Sequence, residues 1–205
     1  MSEVYPLFAT PLYFDFIPPL DKQTIEFCKA MPRELMASEL SYYSLDKQVL
    51  ELPELKKLKQ EILQHTNIFV YDILKVQKNI SFYLTTSWVV TCDLNQKALN
   101  HTHPNSILSG VVYLDVESNS GDLVLAKDHS RPTIFPTCFN VEFEEYNPFN
   151  ATEFSIPPVN NRIVIFPSHV NHFIKPNLSD KPRYSLAFNF FIKGYLGDKE
   201  SALAL

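Results

Sequence analysis

Cysteine is sparse and never arranged as a pair. Cys28, Cys92 and Cys138 lie far apart and are odd in number, so neither a zinc ribbon nor a disulfide framework is expected. They read as buried, reduced thiols. An excess of positive charge is missing too. The 18 Lys and Arg are outnumbered by 23 Asp and Glu, a net charge of −5, which argues against a chain that coats nucleic acid. No run reaches the roughly 20 apolar residues of a membrane span. The opening MSEVYPLFATPLYF lacks a basic start and an unbroken apolar stretch, so no signal peptide is expected and a cytoplasmic protein is. Glycine is scarce, at four residues, whereas the 15 prolines fall between the apolar runs, where turns and edge positions tolerate them.

What the chain does have is apolar and aromatic residues enough for a core: 45% hydrophobic and 13% aromatic over 205 residues, the size of one generous domain. A helix is expected from Asp21, a capping residue, to Met31, where Pro32 ends it. The strongest helical signal runs from Leu52 to Lys75, with Leu55, Leu58, Ile62, Phe69 and Ile73 at three- and four-residue spacing. Glu54, Lys56, Lys57, Lys59 and Glu61 would form its solvated face. From Ile80 the texture changes to β-branched and aromatic runs: ISFYLTTSWVVTCDL, ILSGVVYLDV, GDLVLA, RIVIFPSHV, HFIKP and RYSLAFNFFI. The expectation is an α+β single domain over 1–205, with an extended opening and supporting helices in 1–79 and a barrel or jelly roll in 80–195. Residues 130–158 read as a functional loop or extra strands, and the tail KGYLGDKESALAL as unpacked or held by a partner.

Five of the six histidines fall in the β-rich half; His65, on the predicted helix, reads as structural. His101 and His103 form an HTH. On a strand, residues two apart share a face, so both imidazoles can point into a barrel mouth. A second strand can bring His172 opposite them, giving three imidazoles around one metal with positions left open. His169, three residues earlier, competes for that last place. Arg183 opens the last long strand, with Ser185 on the same face. Turned inward, a guanidinium calls for an anionic partner, and its planar fork matches a carboxylate; turned outward, it is an ordinary surface charge. Tyr113 can add a hydroxyl to the same carboxylate or serve as a plain core residue.

The segments HTHPNSILSGVVYL (101–114), GDLVLA (121–126), RIVIFPSHVNHFIKPN (162–177) and RYSLAFN (183–189), with the opening LFATPLY, resemble the 2-oxoglutarate/iron(II) oxygenase superfamily. They are most similar to a family of bacterial and viral oxygenases related to prolyl hydroxylases. The resemblance implies a double-stranded β-helix of the jelly-roll or cupin-like kind, braced by N-terminal helices. It implies iron(II) held by His101 and His172, and 2-oxoglutarate bound through Arg183 with Tyr113 and Ser185. Trp88, Asn100 and Asn189 would line the pocket. O2 and a peptidyl or amino-acid-like substrate would be the other partners, with no nucleic acid and no membrane. One position departs from the pattern: His103 stands where the usual two-histidine facial triad has a carboxylate. Three arrangements are open. His103 ligates, it swings away and water replaces it, or a carboxylate such as Asp128 takes over, with neighbouring His129 a loop residue. Two rival readings of three histidines are a zinc hydratase or hydrolase and a barrel that binds metal or small acids without catalysis.

Overall fold

Period-two alternation gives the long strands two different faces, and the two faces do different things. In the last long strand, Leu186, Phe188 and Phe190 turn one way and are fully buried. Arg183, Ser185 and Ala187 turn the other way and line a cleft. The computed structural model describes residues 3–5, 9–36, 40–127, 141–198 and 200–205.

Along the chain come β1 (Tyr13–Phe16), α1 (Lys22–Lys29), β2 (Arg33–Met36) and β3 (Ser41–Ser44), then two short 3-10 turns and α2 (Lys56–Asn67). The β-rich half follows: β4 (Ile80–Cys92), β5 (Ala98–His101), β6 (Leu108–Asp115), β7 (Leu123–Ala126), β8 (Glu153–Ile156), β9 (Arg162–Pro167), β10 (Asn171–Ile174), β11 (Arg183–Leu196) and β12 (Leu203–Ala204). They form two antiparallel sheets. The larger runs β1-β9-β6-β11-β4-β3-β2, with β12 paired to β11, and the smaller runs β5-β10-β7-β8. One face of the larger sheet packs Val89, Val112, Ile163, Ile165, Leu186 and Phe188 against Leu55, Leu58, Ile62 and Phe69 of the helical segment. Each such side chain contributes about 1.5–3 kcal/mol on leaving water. The opposite face packs Tyr113, Val164 and Phe166 against Leu123 and Ile156 of the smaller sheet.

The helical start is capped as the sequence implies, with the Asp21 side chain accepting from the Thr24 N–H at 2.8 Å. A helical N-terminal brace is nevertheless not what residues 1–79 form. Among the described residues only α1, α2 and short helical turns are helical there, and β1, β2 and β3 join the larger sheet. Ile73 is also displaced from its expected place. Residues Ile68–Ile73 wind as a π-helix, wider than an α-helix, so Phe69 and Val70 bury while Ile73 turns to solvent. His65 is buried, and its Nδ1 shares a 2.6 Å hydrogen bond with the Tyr13 hydroxyl that ties α2 to β1. The tail folds back as a hairpin, Tyr195 opposite Ala204. The 141–158 part of the irregular stretch contributes β8, an extra strand on β7. Cys28 and Cys92 are both buried, and burial pushes the Cys28 thiol up to about 12; Cys138 lies outside the described residues. No helix among the described residues is long and apolar enough to cross a membrane.

Gly110, on β6 beneath the cleft, stands where the neighbouring strands leave no room for a side chain. A Cβ there would strike the Phe188 ring and the Val164 carbonyl. Gly110→Ala should therefore destabilise the fold by roughly 1–3 kcal/mol, the cost of overpacking. Urea unfolding of the two proteins checks this, and equal midpoints would contradict it.

Candidate metal centre

Strand register brings the histidines together. β10 pairs with β5 so that His172 stands directly opposite His101. Opposed residues of an antiparallel pair share a face, and the two ring centroids are 4.3 Å apart. His103 does not sit on the strand, which ends at His101. It precedes Pro104, and a residue before proline is held extended. Its N–H donates to the Ser168 carbonyl at 3.1 Å, and its Nε2 lies 3.2 Å from His101 Nε2. Donor atoms of all three imidazoles fall within 4.8 Å of one another. His169 is exposed and outside this group; Asp128 and His129 lie outside the described residues.

The protons on these rings can be placed from their partners. A carbonyl oxygen only accepts. His101 Nδ1 therefore donates to the Leu99 carbonyl at 2.7 Å, and His172 Nδ1 to the Val170 carbonyl at 2.9 Å. His103 Nδ1 donates to Asn189 Oδ1 at 2.6 Å. That amide is oriented by its own Nδ2, which donates to Thr86 Oγ1 at 3.0 Å, and by Ser109 Oγ, which donates to Oδ1 at 2.8 Å. Ser168 Oγ lies 2.8 Å from Ser109 Oγ and extends the network. With every Nδ1 protonated, three Nε2 lone pairs converge. Lone pairs 3.2 Å apart repel, and a divalent cation between them removes that repulsion. Burial pushes His172 down to about 3, with the neighbouring His101 and then His103 adding to the effect. Burial also lowers His103. Neutral imidazole is the form that binds metal. Among the described residues no carboxylate joins the group.

The same cleft, about 490 Å³ including its mouth, is lined by Arg183 and Ser185 as well as the three histidines. Arg183 is 1% exposed. Its Nε, Nη1 and Nη2 have no hydrogen-bond partner among the described residues, and neither has the Tyr113 hydroxyl. The guanidinium stands 5.1 Å from the centre of the Tyr113 ring, and Ser185 is opposite Tyr113 in the β11–β6 register. Burial pushes the Tyr113 phenol up, with the Arg183 charge opposing, so the phenol keeps its proton and donates. A buried cation without a counter-charge is costly, and this cluster of donors fits a carboxylate. The residues thus suit a divalent metal at one end of the cleft and an acid at the other.

Of the expected pocket residues, Trp88 lines the cleft, its ring 5.7 Å from that of His103. Asn189 supports His103. Asn100 must be corrected: it is exposed, and Ala98 and His101, on either side of an irregularity in the β5–β10 register, line the cleft instead. The serines Ser109 and Ser168, the edge of Phe166 against His172 at 4.8 Å, and Tyr43 on the cleft wall carry no local sequence signal. Their positions follow from register.

A profile of the family described as "Putative 2OG-Fe(II) oxygenase" matches residues 86–189, half of the chain, and spans all three histidines and Arg183. Comparison with curated proteins finds no match. Similar solved structures include a Pseudomonas putida prolyl-4-hydroxylase, with TM-score 0.58 and 13% identity over 90% of this chain and 94% of that one. An oxidoreductase of the 2OG-Fe(II) oxygenase family from Burkholderia pseudomallei gives 0.57 and 11% over 82% and 76%. HygX from Streptomyces hygroscopicus, with nickel and 2-oxoglutarate bound, gives 0.57 and 11% over 88% and 82%. At these identities the likeness is one of fold.

Two outcomes follow from the geometry. Asn189→Ala should weaken zinc(II) or iron(II) binding by about 10–100-fold, the usual cost of losing a ligand's outer partner; calorimetric titration that finds unchanged affinity would refute the role. An unfolded imidazole takes up a proton near pH 6.5, and buried His172 only near 3. Metal-free protein is therefore at full stability above pH 6.5 and weakens as the pH falls toward 3. Urea midpoints at pH 7.5 and pH 5 should differ in that direction, and the gap should shrink in His172→Asn.

Proposed function

This chain belongs to the 2OG-Fe(II) oxygenase family, and we propose that it is a 2-oxoglutarate- and iron(II)-dependent dioxygenase that hydroxylates a peptidyl or amino-acid-like substrate. Its two sheets are the halves of a double-stranded β-helix, within one domain over 1–205. One observation carries the proposal: a buried guanidinium with all three nitrogens unpaired among the described residues shares a cleft with three converging imidazoles.

In this reading His101, His103 and His172 hold the iron. His103 takes the place that a carboxylate has in the common triad, and its support is the bond from Nδ1 to Asn189, which aims Nε2 at the centre. Arg183, with Tyr113 and Ser185, receives the far carboxylate of 2-oxoglutarate. When bound, iron and co-substrate supply O2 activation coupled to decarboxylation of 2-oxoglutarate to succinate and CO2. The protein residues orient and shield. Three neutral imidazoles leave the metal's charge uncompensated, which favours a dianionic co-substrate. Val111, Leu123, Phe166, Ile174 and Ala187 line the cleft and keep its charges poorly screened. HygX, of similar fold, holds nickel and 2-oxoglutarate, and another similar structure is a prolyl-4-hydroxylase; both support the assignment.

Anaerobic protein given iron(II) and 2-oxoglutarate should develop a visible charge-transfer absorption and release succinate once oxygen is admitted. Arg183→Ala should raise the 2-oxoglutarate needed for half-saturation roughly thirtyfold, the loss of a buried charge partner worth about 2 kcal/mol or more. Absorption without succinate would indicate a binding barrel. A hydratase indifferent to Arg183→Ala would indicate zinc chemistry.

A further inference from the structure

The cleft holds a second unpaired donor, apart from the Arg183 cluster. Trp88 lines the wall beside His103, and its Nε1 is buried with no hydrogen-bond partner among the described residues. An indole N–H only donates, and a buried donor left unpaired costs free energy. Trp88 pairs with Ala187, whereas Arg183 pairs with Cys92. The two donors therefore start four residues apart on β4 and β11, about 13 Å along the strands at 3.3 Å per residue. They address different parts of what the cleft holds. Tyr43 flanks the indole at 6.1 Å, and the remaining wall is Val90, Ala98, Val111 and Ala187 with the apolar residues already named.

Resting on the dioxygenase reading, we propose that Trp88 selects the substrate, donating from Nε1 to a neutral carbonyl on an otherwise apolar group. The substrate class is then an amide-blocked, peptide-like segment rather than a free amino acid. Among the described lining residues Arg183 is the only charged side chain apart from the imidazoles, and no carboxylate is present. A free ammonium would enter without a partner and beside a cation, which is unfavourable twice over. An amide carbonyl with aliphatic carbon beside it satisfies the indole and leaves no charge unpaired.

Trp88 is the sole tryptophan of the chain, so its emission reports this wall directly. The test is a fluorescence titration of zinc(II)-loaded protein, with and without 2-oxoglutarate. The probes are N-acetylated, C-amidated proline and leucine against the same free amino acids. Blocked amides should give a saturable change, and the free amino acids should give none. In Trp88→Phe, equilibrium dialysis should show about tenfold weaker binding of the labelled blocked amides, the worth of one good hydrogen bond from a buried donor. Its affinities for zinc(II) and 2-oxoglutarate should match the parent protein. Equal binding of free and blocked forms, no response to either, or unchanged amide affinity in Trp88→Phe would overturn the proposal. So would a loss of 2-oxoglutarate affinity in that variant, since the N–H would then serve the co-substrate. If the parent protein fails to bind 2-oxoglutarate, the dioxygenase reading falls, while the titration without it still decides whether Trp88 takes an amide.

Discussion

Arg183 sits at 1% exposure with its three guanidinium nitrogens unpaired among the described residues, and the cleft is arranged around that charge. Folding moves it out of water at considerable cost, and no carboxylate of the described lining residues offsets it. The surrounding residues make matters worse for a cation and better for an anion: a phenol that keeps its proton, a serine across the register, and the imidazoles of His103 and His172, which burial disposes to stay neutral. A fold keeps such a feature when a ligand supplies the missing charge. In the proposed reading, affinity for an acid and instability in its absence are two aspects of one buried guanidinium.

The metal end follows a related logic with neutral groups. Each imidazole has its proton fixed on Nδ1 by an acceptor the backbone or Asn189 provides, so each offers Nε2 to the same point. Two of those acceptors are carbonyls two residues earlier in the chain, Leu99 and Val170. The third, Asn189, is 86 residues away and is itself held by Ser109 and Thr86. His103 is the ligand candidate that lies off the strand, and it has the most elaborate support. Loss of ladder bonding there is offset by side-chain bonding.

Much of this was legible beforehand because the signals are local. An H-x-H before a strand, a histidine opening H-x-I-x-P, and an arginine starting the last long strand each declare themselves within a few residues. The Asp21 cap and the apolar spacing of Leu55, Leu58 and Ile62 do likewise. The helical brace was over-read because β2 and β3 have only four residues each, too few to alternate visibly, and become strands by pairing, β3 with β4 and β2 with β3. Ile73 was misplaced because the spacing rule assumes an α-helix throughout. Asn100 falls outside the cleft where the β5–β10 register is irregular between Ala98 and His101, a feature that no local pattern announces.

Sequence by itself determined which residue types were present for the chemistry and their order along the strands: imidazoles at 101, 103 and 172, a guanidinium at 183, an indole at 88. Those are covalent facts; period-two geometry turns Arg183 and Ser185 to one face, whereas His103 reaches the cleft from beyond the end of β5. Only the tertiary structure decided that Ser109, Asn189 and Thr86 meet beside His103, that His172 rather than His169 reaches the centre, and that Arg183 and the Trp88 N–H have no hydrogen-bond partner among the described residues. Each of those outcomes depends on the register between strands distant in sequence. Register is fixed by the packing of whole faces, and no short stretch of chain contains it.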